Sequence, residues 1–124
     1  MEQLILHLLG DYITQSNKMA LEKTKSSAMS LLHAVVYSLP FLLIASPTAV
    51  FVIFATHNLI DRFRLARYVV FLKNWIHEPS LTWADCRENN GYPKGTPAHI
   101  SFWLLIIADN AMHLICNYLA IRYY

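Results

Sequence analysis

A chain of 124 residues is read as one domain, and its composition excludes an ordinary water-facing surface. Hydrophobic residues make up 56% and charged residues 15%, where soluble domains carry about 25% charged residues. A net charge of +2, with no Lys/Arg run interleaved with aromatics, argues against duplex nucleic acid as a partner. The mean hydropathy of +0.34 points to lipid as the solvent of much of the surface. The two cysteines, Cys86 and Cys116, sit in a polar loop and an apolar run. That pattern suggests neither a disulfide framework nor a zinc knuckle.

The first segment, about Glu2 to Ala20, is expected to form an amphipathic helix with Leu4, Ile5, Leu8, Leu9 and Ile13 on its apolar face. It lacks a basic n-region, and His7 and Asp11 interrupt its apolar core. It is therefore expected to stay in the mature protein rather than act as a signal peptide. Lys18, Glu22, Lys23 and Lys25 make the polar turn after it.

A second helix is expected from Ser26 to about Ala45, uncharged, long enough to cross a bilayer of about 30 Å, and kinked at Pro40. Ser46-Pro47-Thr48 opens a third helix running to His77. Its first half is apolar, and its second half carries Arg62, Arg64, Arg67 and Lys73. The region from about 78 to 97 is a long polar loop holding most of the prolines. Trp75, Trp83, Tyr92 and Trp103 cluster around it, as interfacial aromatics do. A fourth apolar helix runs from His99 to Tyr124. The fold expected is all-α: a small integral membrane bundle of about four helices, 1–124, in the inner (cytoplasmic) membrane. The basic residues flank the first turn and the end of the third span, which places both on the cytoplasmic side.

Ionisable residues fall inside these apolar segments at a spacing that places pairs on one helix face. The pairs are His7 and Asp11, His57 and Asp61, and Asp109 and His113, each four residues apart; His33 stands alone. A carboxylate at the centre of a membrane helix costs about 2.5–3.5 kcal/mol, and a bound divalent cation offsets that cost. His nitrogen and carboxylate oxygen suit zinc, and also manganese or iron. Seven candidate ligands (His7, Asp11, His33, His57, Asp61, Asp109 and His113) would suit one or two ions, two of them sharing a bridging carboxylate. A proton or ion relay is the competing use of the same residues, although the apolar stretch from Phe41 to Phe54 counts against a conducting path.

Helix rise gives a depth for each. Asp11 and His33 come out roughly 10 and 12 Å from the cytoplasmic turns, and Asp109 about 18 Å in. Asp109 and His113 are thus expected deeper than the rest. Gln15, Lys18, Arg62 and Arg64 lie near the cytoplasmic mouth, where they could bind a phosphorylated substrate; positive-inside topology explains the basic residues equally well. His77 and His99 flank the polar loop and are read as interfacial.

The stretches HLLGDYITQ, SLLHAVVYSLP, HNLIDRFR and DNAMHL resemble the DUF3307 family of bacterial and phage membrane proteins over nearly the whole chain. That family is similar in layout to membrane-bound proteins of the YdjM type, expected to be metal-dependent hydrolases. Those in turn resemble all-helical zinc phospholipase C and P1 nuclease. The resemblance implies the same seven ligands and hydrolysis of a phosphoester (lipid, isoprenoid or nucleotide phosphate) from the cytoplasmic side, with Asp61 or Asp109 as a catalytic base. The alternative is a non-enzymatic membrane protein whose metal clamps the helices while it binds a partner. Either reading leaves room for a homo-oligomer in contact with membrane lipid.

Overall fold

Every regular element is helical in the computed structural model, which describes residues 1–124. The chain divides into two compact units, Met1–Phe63 with His113–Tyr124, and Arg64–Met112.

In the first unit, α1 (Glu2–Leu8) runs into a π-helical turn, Leu9–Ile13, and α2 (Asn17–Glu22) is a separate helix. The uninterrupted helix expected to Ala20 is therefore corrected. The Thr14 amide donates five residues back to the Leu9 carbonyl at 2.9 Å, which widens the turn. The Thr14 hydroxyl donates to the Gly10 carbonyl at 3.1 Å. Ser16 then turns extended, and its hydroxyl accepts the Met19 amide to start α2.

Helix α3 (Ser27–Ser38) starts at a Ser26 cap and tightens into a 3-10 segment, Leu39–Leu43. Pro40 has no N–H to give to an α-helical ladder, so the expected kink is a change of helix type. Helix α4 (Pro47–Phe63) opens with Pro47, and the Ser46 hydroxyl accepts the Ala49 amide at 3.1 Å.

Leu6, Tyr37, Phe41, Ala49, Val50, Ile53 and Ala120 form the apolar core of this unit. A Cβ on Gly10 would overlap the Tyr37 ring, so glycine is what lets the π turn close on that ring. Gly10→Ala is expected to lower stability by about 1–3 kcal/mol, the usual range for overpacking. Thermal melting in detergent checks this; an unchanged melt would show that Tyr37 yields freely.

Beside this apolar core the unit buries an unusual number of polar groups and exposes many large apolar ones. Its interior holds His7, Asp11, Ser30, His33, Ser38, His57, Asp61, His113 and Asn117, while Leu31, Leu32, Leu39, Leu43, Phe51, Leu59 and Phe63 face outward. An apolar exterior of this extent marks a surface made for lipid or for a partner.

In the second unit, α5 (Ala66–His77) is separate from α4, correcting the single helix expected to His77. Arg64, at φ 52°, takes the left-handed conformation that ends helices. The polar loop contains α6 (Trp83–Cys86) and a 3-10 turn, Arg87–Asn89. Thr82 and Asp85 form a reciprocal cap on α6, and the Thr82 hydroxyl and amide hold the Asp85 carboxyl below its usual range. Gly91, at φ 89°, sits where a Cβ would overlap the Arg67 carbonyl. The Asn74 amide secures the Gly91 carbonyl at 2.9 Å. Trp83 stacks on Tyr68 and meets Phe71 edge-on, with the Arg67 guanidinium over both Tyr68 and Trp83. His77 and His99 are exposed.

Helix α7 (Ala98–Tyr123) begins in the second unit and ends in the first. It is the one helix long and apolar enough to cross a membrane. Ser27–Leu43 is apolar but shorter.

Candidate metal centre

Four helices and one turn of the first unit deliver six of the seven expected ligands to one place. Helix α1 brings His7, the π turn Asp11, α3 His33, α4 His57 and Asp61, and the last part of α7 His113; all six are buried. The π turn is part of this placement. An inserted residue rotates the side chains downstream of it, and such turns recur where a side chain must be aimed.

Two imidazole nitrogens and two carboxylate oxygens form the tightest set. His33 Nε2 and His57 Nε2 are 3.0 Å apart. Asp61 Oδ2 lies 3.2 Å from each of them. Asp11 Oδ1 lies 3.3 Å from His33 Nε2 and 3.5 Å from His57 Nε2. Ligands at the zinc distances of about 2.0–2.1 Å in a tetrahedron stand about 3.3 Å from one another. Five of the six separations among these four atoms thus fall at 3.0–3.5 Å.

Asp11 Oδ1 and Asp61 Oδ2 are buried and accept no aligned hydrogen bond from the imidazoles, and the Lys23 ammonium lies 2.8 Å from Asp61 Oδ2. They converge with the imidazole nitrogens without donor-to-acceptor alignment, as ligand atoms around a cation do. Such a set of nitrogen and carboxylate donors could hold a metal ion.

The other oxygen of Asp61, Oδ1, lies 3.5 Å from His113 Nε2. Asp11, His57 and His113 make a second group of ligand atoms within 4.8 Å of one another. Asp61 thus sets Oδ2 against His33 and His57 and Oδ1 against His113. The expectation that His113 lies deeper than the other ligands is corrected. Rise along one helix measures distance from that helix's own end, and sequence sets neither its tilt nor its starting height.

Neighbouring aromatic and amide groups orient the imidazoles. Tyr37 stacks on the His57 ring with centroids 3.6 Å apart. The Tyr37 oxygen accepts from Asn117 Nδ2 at 2.7 Å and stands 2.8 Å from His7 Nδ1. His7 Nδ1 is also 3.6 Å from Asp11 Oδ2. Partners of this kind hold ligand rings in position.

Among the other expected residues, Asp109 is half-buried on α7, one turn before His113, and falls in the second unit. Gln15 is half-buried, and its amide donates to the Asp11 carbonyl at 3.1 Å. Lys18 is exposed on α2. Arg62 donates to the Thr24 carbonyl at 2.6 Å and to the Ser27 hydroxyl at 3.3 Å, tying the turn between α2 and α3 to α4. Arg64 lies in the second unit, where it donates to Asn90 Oδ1 at 3.3 Å.

Sequence reasoning passed over Lys23, whose ammonium lies 2.8 Å from Asp61 Oδ2. Lys23 reads in sequence as one of several lysines in a polar turn; no spacing rule singles it out.

Residues 1–123 match the model of the DUF3307 family, a protein family of unknown function. No curated protein and no solved structure matches the chain.

Proposed function

This chain belongs to the DUF3307 family, and we propose that it is a membrane-embedded, metal-dependent phosphoester hydrolase. The observation that carries the reading is the buried set of His33, His57, Asp11 and Asp61 atoms, in which each carboxylate oxygen lies 3.2–3.5 Å from both imidazole nitrogens. These four would hold a first divalent ion, zinc by their chemistry. His113, 3.5 Å from Asp61 Oδ1, would belong to a second, with Asp11 and His57 in the same group of ligand atoms. A divalent ion bound there would polarise a phosphoryl oxygen and activate water near neutral pH. Whichever of Asp61 and Asp109 does not serve as a ligand would take the proton.

Support for a membrane location is physical. The first unit is polar inside and apolar outside, and α7 has the length and apolarity of a span. The substrate is then a lipid, isoprenoid or nucleotide phosphate reaching the ligands from the cytoplasmic side of the inner membrane.

A second reading has one observation in its favour: the six ligands are all buried, as in a closed structural site. A metal clamp of that kind would serve partner binding rather than hydrolysis. One preparation separates the two. Protein purified in detergent is expected to release phosphate from a lipid or nucleotide phosphoester, and to stop after chelation. Bound metal with no turnover on any phosphoester would leave the clamp. No metal at all would overturn both.

A further inference from the structure

Lys23 is the one lysine whose ammonium enters the ligand cluster. It lies 2.8 Å from Asp61 Oδ2 and 3.5 Å from His33 Nε2. Asp61 Oδ2 is also the oxygen 3.2 Å from both His33 and His57. A cation held by the two imidazoles and that oxygen would meet an ammonium already in place. Two positive charges on one buried oxygen repel, so the lysine and a metal are competitors for it.

The approach of Lys23 is built into the fold. It is the C-cap of α2, in the turn that leads to α3. Arg62 of α4 donates to the Thr24 carbonyl, one residue on, and holds that turn down. The Lys23 side chain is also the most open of the groups around Asp61. It is 17% exposed, against 10% for Asp11 and no more than 4% for Asp61, His33, His57 and His113. A lysine displaced from Asp61 would therefore lie where the cluster meets its surroundings.

We propose that the Lys23 ammonium and a metal ion compete for Asp61 Oδ2, and that once metal takes that oxygen the ammonium becomes the site's binding group for a phosphate anion. This rests on the metal-site reading and adds to it a residue and a ligand chemistry. A lysine serves such a role as a mobile point charge on a flexible stem, where an arginine would impose a planar fork. The acidic and imidazole groups around it are Asp61, Asp11, His33, His57 and His113, and the nearest basic group holding the same turn, Arg62, is committed to Thr24 and Ser27.

The test compares wild type, Lys23→Gln and Lys23→Arg in detergent, with folding checked by circular dichroism. Zinc affinity is read by competition with a chromophoric chelator. Inorganic phosphate affinity is then read calorimetrically on the zinc-loaded proteins. Lys23→Gln is expected to bind zinc about tenfold more tightly and phosphate about tenfold more weakly, each a change of about 1.4 kcal/mol. Lys23→Arg is expected to keep phosphate affinity within about threefold of wild type. Zinc uptake with unchanged zinc affinity in Lys23→Gln overturns the proposal and leaves the metal site standing. Unchanged phosphate affinity does the same. No zinc uptake in any of the three proteins overturns the metal site and this proposal with it. A lipid phosphate in mixed micelles, run beside inorganic phosphate, distinguishes a headgroup from a free anion as the ligand.

Discussion

His57→Ala should leave the purified protein with less than about a tenth of the wild-type metal content, measured by mass spectrometry after dialysis. Its Nε2 is within 3.5 Å of His33, Asp61 and Asp11 ligand atoms. Losing a group that merely orients a ligand weakens metal binding about 10–100-fold; losing a ligand itself should exceed that. The Tyr37 ring stacked on His57 would collapse partly into the vacated space, so stability should fall less than metal affinity. Unchanged metal content would remove the first metal site as drawn. Exposed His77 and His99 provide the controls: alanine at either should leave metal content as it is.

Asp61→Ala should be the most destabilising single change at the site. Asp61 faces Lys23, His33, His57 and His113 at 2.8–3.5 Å. Removing it leaves the Lys23 ammonium beside imidazoles with one carboxylate fewer. Deleting one partner of a buried ion pair costs about 3–5 kcal/mol, because the other charge stays uncompensated. The partial exposure of Lys23 puts the expected loss at the lower end, about 3 kcal/mol. Melting of metal-free protein in detergent measures it. The double variant Asp61→Ala, Lys23→Gln should recover part of the loss, since it removes the stranded charge as well. A double variant no more stable than Asp61→Ala would mean that the ion pair does not carry the effect.

Helix class and the candidate His and Asp residues were legible because both come from local rules. A four-residue spacing puts His57 and Asp61 on one face of any α-helix, and carboxylates inside apolar runs demand a partner wherever they end up. The element boundaries were less legible. Ser16, Pro40 and Arg64 each ended or changed a helix that hydropathy alone carried onward. The first acts as a cap, the second lacks an N–H, and the third adopts a left-handed conformation.

The basic residues show the limit most plainly. Lys18, Arg62, Arg64 and Lys23 are indistinguishable as charges near a membrane face. Their partners differ: Arg62 holds a turn, Arg64 bonds Asn90, and Lys23 meets Asp61. Those partners come from other segments of the chain, and no local rule reaches them.

The sequence by itself determined that the protein is all-helical, that its surface is largely apolar, and which His and Asp residues are available as ligands. Composition and helical periodicity are properties of short stretches. The tertiary structure alone decided that six of those side chains meet, that Asp61 sets one oxygen against His33 and His57 and the other against His113, that Tyr37 and Gly10 fit one another, and that Lys23 reaches Asp61 Oδ2. Each of these is a contact between residues distant in the chain, set by how helices pack rather than by where they lie in sequence.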